Sequence, residues 1–246
     1  MSDVKAPTLD GSTRPRPVEP AVAEPAERTR RLWGLLALVT IPVLLAMAFW
    51  YAPEDANQGA AQRIFYIHVP SAWIGFLAFA VVFVASIAFL ATGARRWDDL
   101  AASSAEVGVV FTSAVLITGP LWGRPVWGVY WTWDPRLTSF LMLWLIYLSY
   151  LVLRGYVPEP IRRARFSAVL GIVGFLDVPI VYLSARWWRS EHPTQFVVEG
   201  GRLPDQMLVT MLVGVVALTF LYLYLLSVRR RVARLRAAAE LEEVVR

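Results

Sequence analysis

The chain is predicted to be an all-α integral membrane protein: six transmembrane helices, both termini cytoplasmic, and a Trp-rich extracytoplasmic loop. Three observations predict this. Of its 246 residues 57% are apolar and the mean hydropathy is +0.50, too greasy for a water-soluble domain. Six stretches approach or exceed the roughly 20 apolar residues that a helix needs to cross the hydrocarbon layer. The arginines between those stretches divide unevenly between two faces, which sets the orientation.

In chain order, residues 1–31 are rich in Pro, Ala, Glu and Arg and have no apolar period, so they read as a disordered cytoplasmic tail. The apolar run that follows exceeds the roughly 7–15 residues of a signal-peptide core and shows no clean cleavage site, so it reads as a first span. The spans fall at 32–51, 71–92, 103–121, 137–153, 166–184 and 207–228, a membrane domain over 32–228. The fourth is short but flanked by aromatic residues and can stand nearly upright. Residues 229–246 keep helical spacing with mixed charge and extend the last span as a cytoplasmic helix. One face holds the N-terminal tail, the 93–102 and 154–165 loops and the C-terminal tail, with fourteen arginines close to the spans. The opposite face holds 52–70, 120–136 and 185–205, with six. The positive-inside rule puts the first face in the cytoplasm. It also assigns the formal charge of +5 to membrane topology and not to nucleic acid. The chain has no cysteine, which excludes a disulfide framework, a CxxC thiol centre and covalent haem attachment through its own CxxCH.

The segment 122–136, WGRPVWGVYWTWDPR, carries Trp122, Trp127, Trp131 and Trp133, over a third of the chain's eleven tryptophans. Its Gly and Pro residues argue against a spanning helix, and its aromatic content against an ordinary solvated loop. Large flat indoles suit either a flat apolar ligand or the headgroup layer. The only two histidines fall on the same outer face. His68 precedes span two, with Pro70 expected to hold it off the helix. His192 follows span five, beyond Trp187 and Trp188. Two imidazoles without Cys or a carboxylate cluster make a poor zinc site. They suffice as axial ligands of haem, whose porphyrin supplies the other four. The pattern therefore suggests haem held between the first and third outer loops, with the Trp segment against its face.

Arg63 and Arg136 lie nearest in sequence to His68 and to the Trp segment. Each suits either a haem propionate or a lipid phosphate. Asp134 can fix an indole N–H, pair with Arg136, or cap span four; capping is the default before Pro135 and an apolar run. Asp177, inside span five and two residues before Pro179, is assigned a structural role, and Glu106 an interfacial one.

These residues carry a family likeness. WGRPVWGVYWTWDPRLT, QGAAQRIFYIHVPSAW and VPIVYLSARWWRSEHPTQ resemble the haem-handling WWD proteins of cytochrome c biogenesis. Within that superfamily the chain resembles the smallest, six-span branch, the haem exporter C (CcmC) family of system I, over residues 30 to 230. The resemblance implies haem b on the outer face of a bacterial inner membrane, delivered to a membrane-anchored haem chaperone. It implies a complex with ATP-binding cassette subunits and a small single-span subunit. It maps axial ligation onto His68 and His192, the haem platform onto Trp122, Trp127, Trp131, Trp133 and Asp134, and propionate contacts onto Arg63 and Arg136.

The chain contains no GxxxxGK[ST] phosphate loop, so ATP chemistry would belong to partners. It shows no nucleophile–base or paired-carboxylate pattern and reads as a binding and transfer subunit, not an enzyme. Two other readings stand beside this one: a transporter moving haem or another small molecule, and a scaffold whose Trp loop only anchors at the interface.

Overall fold

The computed structural model describes residues 24–188 and 203–245. Almost all of these are helical, and six helical stretches are long and apolar enough to cross a membrane. The first span is α1 (Glu24–Ala46) with a π-helical turn, Met47–Tyr51. A 3-10 turn, Ala60–Ile64, leads into α2 (Phe65–Thr92). Next come α3 (Arg95–Trp127) and α4 (Pro135–Tyr156). The fifth span is divided into α5 (Pro160–Phe175) and α6 (Asp177–Trp187), and α7 (Asp205–Val245) is the sixth. Each expected span lies within one of these.

Several boundaries differ from the sequence reading, each for a physical reason. Residues 24–31, expected in the tail, are the start of α1, where Glu27 pairs with Arg31 one turn on at 2.6 Å. Residues 1–23 lie outside the described residues. The Trp segment is not one loop. Helix α3 runs through Pro120 and Pro125 to Trp127, and α4 begins at Pro135, leaving only 128–134 between them. Packed membrane helices tolerate such prolines, because neighbouring elements re-satisfy the freed backbone groups. Gly128 ends α3 at φ 78°, its N–H bonded to the Arg124 carbonyl. Pro70 likewise lies inside α2 and does not push His68 off the helix. The break at Leu176 follows from Pro179, which has no N–H for the Phe175 carbonyl. It places Asp177 in the first turn of α6, with Oδ2 buried and without a donor among the described residues.

Helix α2 is central, packing on α3, α5 and α7, while α1 lies along α7 and α4 against α5 and α6. Close approach needs small residues at the contacts. A Cβ on Gly108 of α3 would fall 2.7 Å from the Phe79 ring of α2. Phe79 in turn stacks on Tyr147 of α4, with centroids 3.5 Å apart and planes 4° from parallel. A bidentate, largely buried ion pair, Arg154 Nη1 and Nη2 to the two Asp98 oxygens at 2.6 and 2.9 Å, ties α4 to α3 at one end of the bundle. The opposite end gathers the starts of α2, α4 and α7 and the ends of α3 and α6.

Candidate functional site

That end holds a mostly apolar cavity of about 560 Å³, walled by α2, α3, α4, α6 and α7. Such a volume suits a single mid-sized ligand. His68 enters it from the first turns of α2. Asp55 sets up the approach: its Oδ1 accepts the N–H groups of Asn57 and Gln58 at 2.8 and 2.9 Å, folding the chain back before the 3-10 turn. Gln58 then accepts the Trp122 indole N–H at 2.9 Å. Trp122 meets His68 edge-on, centroids 5.6 Å apart, and Phe65 at 6.0 Å. The imidazole Nδ1 lies 2.9 Å from Thr118 Oγ1. Gly119 leaves room for the ring, since a Cβ there would stand 3.3 Å from His68 Cε1.

Trp127 and Trp131 line the cavity as well. Trp127 folds back over its own helix because Gly123 has no side chain; a Cβ would lie 2.9 Å from the ring. The Trp131 indole N–H is buried with no acceptor among the described residues. Trp133 contacts Trp131 edge-on at 5.8 Å but is 75% exposed and lies off the cavity wall. Asp134 is also off the wall. Its Oδ1 accepts the Leu137 N–H at 2.9 Å and caps α4, the default reading of that residue.

The two arginines singled out from sequence part company. Arg136, in the first turn of α4, lines the cavity, and no ion pair holds it among the described residues. Arg63 is engaged elsewhere: Nη1 donates to the Phe49 carbonyl at 2.6 Å and Nη2 pairs with Glu54 at 3.1 Å. Arg186, which sequence reasoning left aside, does line the cavity, together with Tyr182 one turn earlier on α6. Its signal was helical phase: residues 181, 182, 185 and 186 share one face of α6, legible only once α6 is known to be helical to Trp187. His192 lies outside the described residues; α6 carries the chain to Trp187 at the cavity-bearing end.

Residues 19–244 match the family model described as Heme exporter protein C (CcmC). The chain belongs to the heme exporter protein C family. The Heme exporter protein C of Bradyrhizobium diazoefficiens is 40% identical over 215 residues, 85% of this chain and 81% of that protein. That of Haemophilus influenzae is 30% identical, over 85% of this chain and 86% of its own. A ccmC-like mitochondrial protein of Arabidopsis thaliana, named for cytochrome c biosynthesis, is 33% identical over 86% of this chain and 80% of its own. In heme exporter protein C terms, the cavity is built largely from the Trp segment and the His68 segment that carried the resemblance. The third segment, 178–195, contributes its helical half, α6.

Proposed function

We propose that this chain holds haem b in the cavity beside His68 and hands it on during cytochrome c maturation. The observation that carries the reading is one imidazole, four indoles (Trp73, Trp122, Trp127 and Trp131) and two arginines, Arg136 and Arg186, lining one apolar cavity at one end of a membrane bundle. The lining suits a porphyrin in three ways. Trp122, Trp127 and Trp131 offer aromatic surface to a flat apolar ring. The buried Trp131 N–H and the Arg136 guanidinium offer a donor and a cation to acidic edge groups. His68 supplies one nitrogen ligand, and His192 supplies the second. Haem is the cargo here, and its iron accepts the two axial nitrogens when bound.

Arg136 and Arg186 take the propionates in this reading, while Arg63 fixes the loop before α2 through Glu54. Trp133 and the exposed rim of 128–134 face the acceptor, a membrane-anchored haem chaperone. ATP-binding cassette subunits and a small single-span subunit complete the assembly, and the cavity opens toward the periplasm. A transport path through the chain is the weaker reading. Beneath the cavity the bundle is filled by the buried side chains of Phe79, Leu143, Tyr147 and Tyr150.

The test is the absorption spectrum of the purified complex loaded with haem. His68→Ala and His192→Ala should each shift and weaken the Soret band. Wild-type spectra in both variants would remove the ligand assignment. Orientation is open to direct labelling because the chain has no native cysteine. An impermeant maleimide should label a cysteine at position 133 in intact spheroplasts and one at position 236 only after lysis.

A further inference from the structure

We infer that Thr118 is a positioning residue: its hydroxyl holds the His68 proton on Nδ1, so that the lone pair lies on Nε2. The inference rests on the reading of His68 as a haem ligand, but the hydrogen-bond argument is independent of it. Thr118 Oγ1 lies 2.8 Å from the Ala114 carbonyl oxygen, 3.4 Å from that of Val115 and 2.9 Å from His68 Nδ1. A carbonyl can only accept, and the hydroxyl has one proton. Were that proton given to Nδ1, Oγ1 and the Ala114 oxygen would face each other at 2.8 Å with no hydrogen between them. The proton therefore points back along α3, and Nδ1 must bring its own. A neutral imidazole protonated at Nδ1 can ligate only through Nε2. The arrangement matches the way metal-binding histidines are oriented by a partner on the other ring nitrogen, here with a hydroxyl in place of a carboxylate. Gly119, the next residue, leaves the same ring its room, since a Cβ there would stand 3.3 Å from His68 Cε1.

The experiment uses the whole complex with nitrogen-15 histidine in this chain. Only two imidazoles then report, and H192A assigns them. Long-range nitrogen–proton correlations read the tautomer without haem; haem titration followed at the Soret band reads affinity. In the wild type His68 should be the Nδ1–H tautomer. Thr118→Val, which keeps shape and removes the acceptor, should give a mixture or the Nε2–H form and weaken haem binding about 10- to 100-fold. Thr118→Ser, which keeps the hydroxyl, should restore both readouts, setting aside a folding defect. A wild-type His68 protonated on Nε2 overturns the proposal. So does a T118V variant with the wild-type tautomer, or with wild-type haem affinity. If H68A keeps the wild-type haem spectrum, the ligand reading falls and the positioning role with it, while the tautomer result stands, so the two failures are told apart.

Discussion

Gly214 of α7 is where a single methyl group should do most damage to the site without touching it. A Cβ there would lie 2.8 Å from the Tyr66 carbonyl oxygen, 2.9 Å from Pro70 Cγ and 3.3 Å from Leu44 Cδ1. The first of these is backbone and cannot rotate aside. The carbonyl faces α7 because its helical donor would be residue 70, and Pro70 has no N–H. Gly214→Ala would gain about 1 kcal/mol of helix propensity. It would lose about 1–3 kcal/mol to overpacking, because α7 must retreat from α2. A net loss of about 1 kcal/mol is expected from those two terms. The control is Gly155→Ala in α4, where an added Cβ meets nothing within 4 Å; it should stabilise by about 0.5 kcal/mol. The assay is reversible unfolding of the two variants in mixed micelles titrated with SDS, with haem affinity measured in parallel. Met211 and Val215, on either side of Gly214 along α7, line the cavity, so G214A should also weaken haem binding while G155A leaves it unchanged. A G214A protein as stable as G155A, with wild-type affinity, would refute the packing argument.

Arg154→Met should cost about 3 kcal/mol, because it strands the largely buried Asp98 carboxylate, and the double variant with Asp98→Leu should recover most of the loss on the same SDS titration. Trp122→Phe should lose the bond to Gln58, about 1 kcal/mol, and a double-mutant cycle with Gln58→Leu should show the two losses to be non-additive. Arg136→Gln and Arg186→Gln should each weaken haem binding several-fold by Soret titration. Arg63→Gln should leave affinity near wild type and lower stability by no more than about 1 kcal/mol, since the Arg63–Glu54 pair is partly exposed.

The spans were legible because apolar length is a property of composition, and lipid imposes it on every helix in the same way. What the sequence misjudged were prolines. Pro70 and Pro125 read as breakers, as they would be in water, where each stops a helix. In the packed bundle α2 and α3 run through them, so His68 and Trp122 are helical residues and not loop residues. The lining of the cavity was half legible. His68, Trp122, Trp127, Trp131 and Arg136 meet at one cavity, as a shared face and a shared motif implied. That Arg186 and not Arg63 lines the cavity was not legible, because proximity in sequence is a poor guide across a helix bundle. Arg63 is five residues from His68 yet turns toward Glu54, whereas Arg186 reaches the cavity from another span by helical phase. Thr118 gave no signal at all, since a threonine bonding back to its own helix looks the same in any membrane span.

Helix α7 is 41 residues long, about 60 Å, and after Gly214 it has no glycine or proline through Val245. It meets α3 through the Tyr222–Ser104 hydrogen bond and, a little past its midpoint, through Arg229 and Glu106. Such a rod has no joint in which a lean can be lost. Pivoting by about 5° at Arg229 would carry Met211 and Val215 sideways by roughly 2 Å, with the far tip swinging the opposite way. The wall of the cavity and the last turns of the chain are thus two arms of one beam, seated on α1, α2 and α3.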